Sequence, residues 1–272
     1  MSYVWTGKTA VVTGAGSGIG RSIARLLAER GTTVHVADRG GPSAEAVASE
    51  IRAAGGIALA HTVDVTDADA VIALADAVGP IDLLFNNAGI GHAGAVIDTT
   101  LDDWRRLIDV NLMGVVHGLH AFLPRLLAED RPAHIVNTAS MAGLVPNAGL
   151  AAYSATKAAV VSLTEALAIE LIGTRVRVVA LCPGVIDTAI VTTSTMRGAW
   201  ADRRERTVNL YAKRGTSPDV VARQALAAVV RGRTIVPTPR YQTVPHWWLK
   251  RLIPRAGRGV SVATFRYLSR TE

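Results

Sequence analysis

Short apolar runs rich in β-branched residues alternate along most of this chain with longer segments whose apolar positions recur every three to four residues. Residues 8–13 (KTAVVT) are such a run and stop at Gly14, after which 18–30 carries Ile19, Ile23, Leu26 and Leu27 at helical spacing. The pair predicts strand, glycine turn, helix. The alternation predicts further strands at 33–37, 57–61 and 81–85, separated by helices at 43–53 and 67–78. A long helix is expected over 101–127, with Pro124 kinking or shortening its end. Strand 133–138, helix 150–172, strand 175–181, helix 218–230 and strand 234–236 complete the pattern. Continuous apolar strands between amphipathic helices call for a parallel sheet covered on both faces. Seven of them predict one doubly wound α/β domain over 1–236, with no internal repeat and no linker.

Two segments fall outside this pattern. Residues 187–214 are polar with scattered apolar positions (Ile190, Val191, Met196, Trp200, Leu210, Tyr211), as expected of a helical lid over a substrate site. Residues 237–272 extend past the last strand. Composition agrees with one large core: 272 residues, 49% apolar and 19% charged. Cys182 is the sole cysteine, and the first residues lack the apolar core of a signal peptide, so a reducing cytoplasm is the expected compartment. No stretch approaches the ~18 uninterrupted apolar residues of a spanning helix. The net charge of +7 is uneven. From Arg231 onward nine basic residues face one acidic residue, Glu272, so this part carries +8 and residues 1–230 carry −1.

Gly14, Gly16, Gly18 and Gly20 lie between the first strand and the first helix, in TGAGSGIG. There the helix N-terminus offers unpaired N–H groups, and the missing Cβ atoms let a pyrophosphate approach the backbone closely. This is the fingerprint of a Rossmann fold, and Ser17 and Ile19 are expected to flank the pyrophosphate. Asp38 follows the second strand, where a carboxylate accepts from both ribose hydroxyls of adenosine and repels a 2′-phosphate. That favours NAD. Arg39 beside it could instead pair with the phosphate, which keeps NADP open. Asp64 and Val65, after the third strand, are placed to contact adenine, a surface cap on the next helix being the competing reading of Asp64.

Tyr153 and Lys157 are four residues apart, one turn along one helical face. A nearby ammonium favours the phenolate, and a tyrosine whose pKa falls toward neutrality can exchange a proton with an alcohol oxygen. Ser140, at the end of the preceding strand, can hydrogen-bond the same oxygen; otherwise it is a cap.

With these residues the chain resembles the short-chain dehydrogenase/reductase family, in the group with a Thr-Gly-x3-Gly-x-Gly turn, over about residues 5–236. Asn86, Asn87, Ala88 and Gly89 look like its fourth-strand motif, Asn111 like its helix asparagine, and Pro183, Gly184 and Thr188 like its nicotinamide segment. The resemblance implies that Tyr153 is the general acid/base and that Lys157 lowers its pKa and holds the nicotinamide ribose. It further implies that Ser140 orients substrate, that Asn111 holds a water in a proton relay, and that Thr188 and the Ile186 backbone position the carboxamide. It implies hydride transfer with NAD, or NADP, on a secondary alcohol or ketone, and a homo-oligomer, dimer or tetramer, built by two long helices. An NADPH-dependent carbonyl reductase is the nearest alternative. A dinucleotide-sensing regulator is another, against which the intact Ser140, Tyr153 and Lys157 speak.

The remaining candidates read more simply. Cys182 sits in an apolar strand with no cation to generate a thiolate, so burial is expected. His117 and His120 have helical spacing but no third ligand, so no metal is expected. Met141, Val145, Pro146, Val185, Ile190, Met196 and Trp200 would face substrate, and no Arg or Lys is set to pair with an anionic group there, so the partner is a small apolar alcohol or ketone. The run 244–253, with Trp247, Trp248, Lys250 and Arg251, has the composition of an interfacial amphipathic helix and equally of a pocket lid or subunit contact. Packing is the favoured reading, peripheral membrane contact comes second, and nucleic acid is not expected. The lid and basic end, with YAKRG at 211–215, also resemble actinobacterial relatives acting on lipid-like or terpenoid alcohols.

Overall fold

In the computed structural model, which describes residues 4–259 and 262, the chain begins β1 (Thr9–Thr13), α1 (Gly18–Ala28), β2 (Thr33–Asp38), α2 (Gly41–Ala53), β3 (Ala58–Thr62), α3 (Ala68–Val78), β4 (Leu83–Asn86). It continues with β5 (His92–Ala93), α4 (Leu101–Ile108), a π-turn at Asp109–Met113, α5 (Gly114–Ala128), β6 (Ala133–Thr138), α6 (Met141–Leu144), α7 (Ala151–Glu170) and β7 (Val176–Pro183). Last come α8 (Ile190–Thr193), β8 (Thr195–Met196), α9 (Ala199–Asp202), α10 (Arg204–Arg214), α11 (Pro218–Arg231), β9 (Ile235–Thr238) and α12 (Arg240–Leu252).

Seven strands form one parallel sheet in the order β3-β2-β1-β4-β6-β7-β9. The chain runs outward from β1 in one direction and from β4 in the other, so a crevice opens at the carboxyl ends of these neighbours. The central strands β1, β4 and β6 are buried on both faces, which is why the sequence shows apolar runs without alternation, whereas the edge strand β3 leaves Leu59 and Thr62 exposed. Val12, Val36, Leu83 and Phe85 pack with Ile23, Leu27, Val221 and Leu226 on one face. Val11, Leu84 and Ile135 pack with Leu74, Phe122, Leu126 and Val160 on the other.

Three elements depart from the sequence pattern. The helix expected over 101–127 widens to a π-turn at Asp109–Met113 and then runs as α5 through Pro124 to Ala128. Within that turn Asn111 Oδ1 accepts from the Ile90 amide at 2.8 Å and its Nδ2 donates to the Ile90 carbonyl at 3.0 Å. The last strand continues past Val236 through Pro237, which an edge strand tolerates because one side of it needs no ladder donor. β5 and β8 pair as a small parallel ribbon, too short to leave a periodic signal. The run Leu101–Ala128 is long and apolar enough on average to cross a bilayer, but Leu107, Phe122 and Leu126 are buried in the core.

Candidate active site

The glycine turn is shaped by what surrounds it. Thr13 accepts at its hydroxyl from the backbone N–H groups of Asn87 and Ala88 (3.0 and 3.1 Å), and Asn87 Nδ2 donates back to the carbonyls of Thr13 and Gly14. These bonds clamp the end of β1 to the end of β4. A Cβ on Gly14, which has φ of +61°, would lie 2.7 Å from Ala88 Cα, and one on Gly20 would lie 2.3 Å from the Gly14 carbonyl oxygen. Contacts that short are untenable against backbone. Gly20 therefore serves packing and does not line the cavity; Gly14, Ser17, Gly18 and Ile19 do.

Asp38 Oδ2 accepts from the Gly16 amide and Oδ1 from the Gly40 amide, both at 2.9 Å, while Ser43 donates to Oδ1 from 3.4 Å. Asp38, Arg39, Asp64 and Val65 share one end of the cavity. Asp64 accepts from the amide and hydroxyl of Thr66, so it shapes its own turn, and Asp67 is the cap of α3. His117 bonds the Val65 carbonyl through Nδ1 at 2.8 Å, consistent with a packing role. Among the described residues no group of three or more His, Cys, Asp or Glu is placed to hold a metal ion.

At the other end β6 delivers Ser140 and α7 delivers Tyr153 and Lys157 to the same wall. Ser140 is the N-cap of α6, accepting from the Ala142 amide at 3.1 Å. It is thus a cap and a cavity residue at once. Lys157 is 2% exposed, donates to the Thr138 carbonyl at 2.9 Å, and sits 5.9 Å from the Tyr153 ring centre. Burial pulls its pKa down to about 8. Burial likewise pushes Tyr153 up to about 12, against a hydrogen bond with Ser140 that lowers it. The expected lowering of the Tyr153 pKa by Lys157 is reversed here, because desolvation of the phenolate outweighs an ammonium held toward Thr138. Cys182, fully buried, has its thiol pushed up to about 12 by burial. Asn111 does not line the cavity: its amide is committed to Ile90 and Thr156.

The cavity holds about 670 Å³. Asn87, Ala88, Gly89, Pro183, Gly184, Ile186 and Thr188 form its middle, with Gly18 and Thr188 closing across it: a Cβ on Gly18 would lie 3.2 Å from the Thr188 methyl. A cavity lined both by the glycine turn at a helix N-terminus and by apolar side chains matches the chemistry of a dinucleotide, so the residues present suit that cofactor.

A model of the short chain dehydrogenase family matches residues 8–197. The chain belongs to that family. It is 39% identical over 260 residues to "Probable oxidoreductase EphD" of Mycobacterium tuberculosis, covering 92% of this chain and 44% of that protein. The chain thus spans less than half the length of that relative. It is 42% identical over 202 residues to "1-deoxy-11-beta-hydroxypentalenate dehydrogenase" of Streptomyces exfoliatus, covering 72% and 74% of the two chains. Among solved structures it resembles a short chain dehydrogenase/reductase from Burkholderia phymatum in complex with NAD, with a TM-score of 0.87 and 33% identity over 94% of this chain and 96% of that one.

The individual character of this short-chain dehydrogenase lies in the apolar chamber. Met141, Val145, Val185, Ile190 and Met196 line it as expected. Pro146 is exposed outside it, and Trp200 packs instead with Ala93, Val191 and Met196. The 187–214 segment is fastened by Arg197, whose guanidinium grips Asp103 through two bonds of 2.9 and 3.0 Å and holds that carboxyl well below the usual range. Several chamber residues were missed from sequence. His92 and Asn147 belong to segments without periodicity, Leu150 opens the expected helix 150–172, and Tyr211 lies in the 187–214 segment; Tyr211, itself raised by burial, stands near enough to Tyr153 to raise it further. Gln242, Thr243, His246 and Leu249 reach the cavity from α12. α12 is docked by buried Thr243, by Trp247 against the sheet core and by Lys250 on the Leu144 carbonyl at 2.6 Å. Their nearest sequence signal was the amphipathic 244–253 run. Arg266 and Arg270 of the basic end lie outside the described residues.

Proposed function

We propose that the chain oxidises an apolar secondary alcohol to a ketone, or catalyses the reverse reduction, with NAD as the favoured cofactor. The observation that carries this reading is the convergence of Ser140, Tyr153 and Lys157 on one wall of a cavity whose other end is the glycine turn with Asp38. When bound, the nicotinamide gives or accepts a hydride at its C4. Ser140 donates a hydrogen bond to the substrate oxygen. In reduction Tyr153 passes its proton to that oxygen; in oxidation it takes the proton back. Lys157, positive below about 8, favours the phenolate as the proton leaves. Asp38 would accept from the adenosine ribose, the Ile186 backbone and Thr188 would hold the carboxamide, and the chamber of Met141, Val145, Val185 and Met196 would exclude water from the carbinol carbon.

Several further observations support finer points. The chamber's apolar lining and the relative named for a hydroxypentalenate favour a carbocyclic or lipid-like alcohol. Arg39 on the cavity wall favours the second reading, an NADPH-dependent reductase. Domain organisation follows the same division: 1–236 as the oxidoreductase domain with the 187–214 lid, and 237–272 as an extension. Leu101, Ile108, Ile169 and Ile172, large apolar residues left exposed on α4 and around α7, support assembly into a homodimer or homotetramer. The single buried cysteine suits a reducing cytoplasm. The test is turnover of a panel of secondary alcohols and ketones with NAD and NADP, followed by nicotinamide absorbance. Turnover that requires Tyr153 and falls with substrate polarity is expected; no turnover with either cofactor across the panel would overturn the reading.

A further inference from the structure

The inner face of α12 is accounted for by its docking and by the cavity. On its outer face Tyr241 shares a 2.9 Å hydrogen bond with the Thr216 hydroxyl, and the apolar surface beyond it stays open. Tyr241, Pro245, Trp248 and Leu252 follow one another at intervals of four, three and four residues, so they form one stripe along the helix. All four are exposed, Tyr241 by 71%, Trp248 by 47% and Leu252 by 70%, and Ile253 extends the stripe at 56%. Beside it stand the exposed Arg240 and Arg251, followed by the exposed Arg255 and Arg258. No acidic residue occurs between Asp219 and Glu272.

We propose that this stripe docks the protein on an anionic lipid surface. Aromatic and aliphatic side chains on one helical face with arginines alongside suit the boundary between acyl chains and headgroups, where apolar groups sink and guanidinium groups meet phosphates. A second copy of this chain is the poorer occupant. Symmetric pairing through the same stripe would set two such arginine-rich surfaces against each other, whereas a lipid phosphate surface supplies the missing negative charge. Leu249 and His246, which line the cavity, belong to this same helix, so docking holds that wall of the cavity beside the bilayer. That an apolar alcohol enters from the membrane is the consequence, and it alone rests on the proposed function; the docking does not.

The test is cosedimentation of the full chain, without cofactor or substrate, with vesicles of phosphatidylcholine alone or containing phosphatidylglycerol, at low and high salt. Binding is expected to the phosphatidylglycerol vesicles at low salt, to weaken at high salt as the charges are screened, and to shift tryptophan emission to the blue. Trp248→Asp with Leu252→Asp, and separately Arg255→Glu with Arg258→Glu, should each lower the bound-to-free ratio by about tenfold or more. Unchanged gel-filtration volume and cofactor affinity identify both variants as folded. Absence of binding at low salt would overturn the proposal, as would binding that neither variant weakens. Self-association abolished by the variants without vesicle binding would overturn it too, assigning the face to a second copy.

Discussion

Asp38→Asn separates the electrostatic part of cofactor choice from its shape. The carboxylate accepts two backbone N–H groups on different oxygens, Gly16 on Oδ2 and Gly40 on Oδ1. Asparagine keeps the outline but offers one acceptor, so whichever way its amide turns, one N–H faces a donor. The lost bond is charge-assisted and half-exposed, which puts the destabilisation at about 1–2 kcal/mol, or a fall of roughly 3–8 °C in Tm for a chain of this size. The effect on cofactors is larger. A unit charge about 4 Å from another costs about 1 kcal/mol in water and about 4 kcal/mol in a half-buried setting. Removing the Asp38 charge relieves that repulsion of a 2′-phosphate and takes away the ribose acceptor, so the preference for NAD over NADP should move by about 2 kcal/mol, roughly thirtyfold. Titrating each cofactor into wild type and variant by tryptophan quenching measures the ratio directly. Arg39→Ala is the control, weakening NADP alone. Wild type that binds NADP about tenfold tighter than NAD, or a ratio that moves less than about threefold in Asp38→Asn, would refute the reasoning.

Tyr153→Phe should lower kcat by about 10²-fold or more while the cofactor Kd stays within about threefold, since only the transferable proton is removed; loss of less than a factor of ten would remove Tyr153 from its role. Lys157→Met should damage both turnover and cofactor affinity. Gly20→Ala pushes a methyl onto the Gly14 carbonyl oxygen and to 2.6 Å from Asn87 Nδ2, so it should unfasten the β1–β4 clamp and lower stability by about 1–3 kcal/mol, with a fall in cofactor affinity read from the same titration. His35, buried against His61, has its pKa pulled down to about 4 by burial and then by the His61 charge. Its unfolded form takes a proton below about 6.5, so stability is full above that pH and falls toward pH 4, by at most about 3 kcal/mol. A Tm-versus-pH curve whose acid limb is as steep in His35→Leu as in wild type would contradict this.

The fold was legible because strands buried on both faces and helices buried on one leave different periods in the sequence. The cofactor end was legible for a related reason: Gly14, Gly18 and Asp38 act through local backbone chemistry at the neighbouring ends of β1 and β2. The chamber was not. Ala93 and Met196 meet only because two-residue strands pair across a hundred residues, and Gln242 meets Gly184 only through the docking of α12. Asn111 shows the intermediate case. Its identity was readable, but its amide is spent on the Ile90 peptide, so its side chain shapes the backbone beside Gly89 and the π-turn around it.

The acid and the ammonium at the centre of the site are linked more subtly than their four-residue spacing implies. Spacing alone places an ammonium near a phenol and predicts a lowered phenol pKa, yet burial acts on both groups in the direction that disfavours charge. Tyr153 is pushed up to about 12 and Lys157 down to about 8. At neutral pH, then, Tyr153 keeps its proton and is ready to donate it to a carbonyl oxygen, the step that reduction requires. Oxidation requires the opposite: the phenol must give up its proton before it can accept the one leaving the alcohol. The chain offers two local means of easing that loss, the Ser140 hydrogen bond that lowers the Tyr153 pKa and the Lys157 charge, which is itself fading above about 8. Alcohol oxidation should therefore rise with pH as Tyr153 ionises more readily and flatten as Lys157 loses its proton, while ketone reduction, for which Tyr153 already holds its proton, stays level up to about pH 8; rate-versus-pH profiles in the two directions check this. The two limbs belong to the pair, because each group's charge sets the other's affinity for its proton.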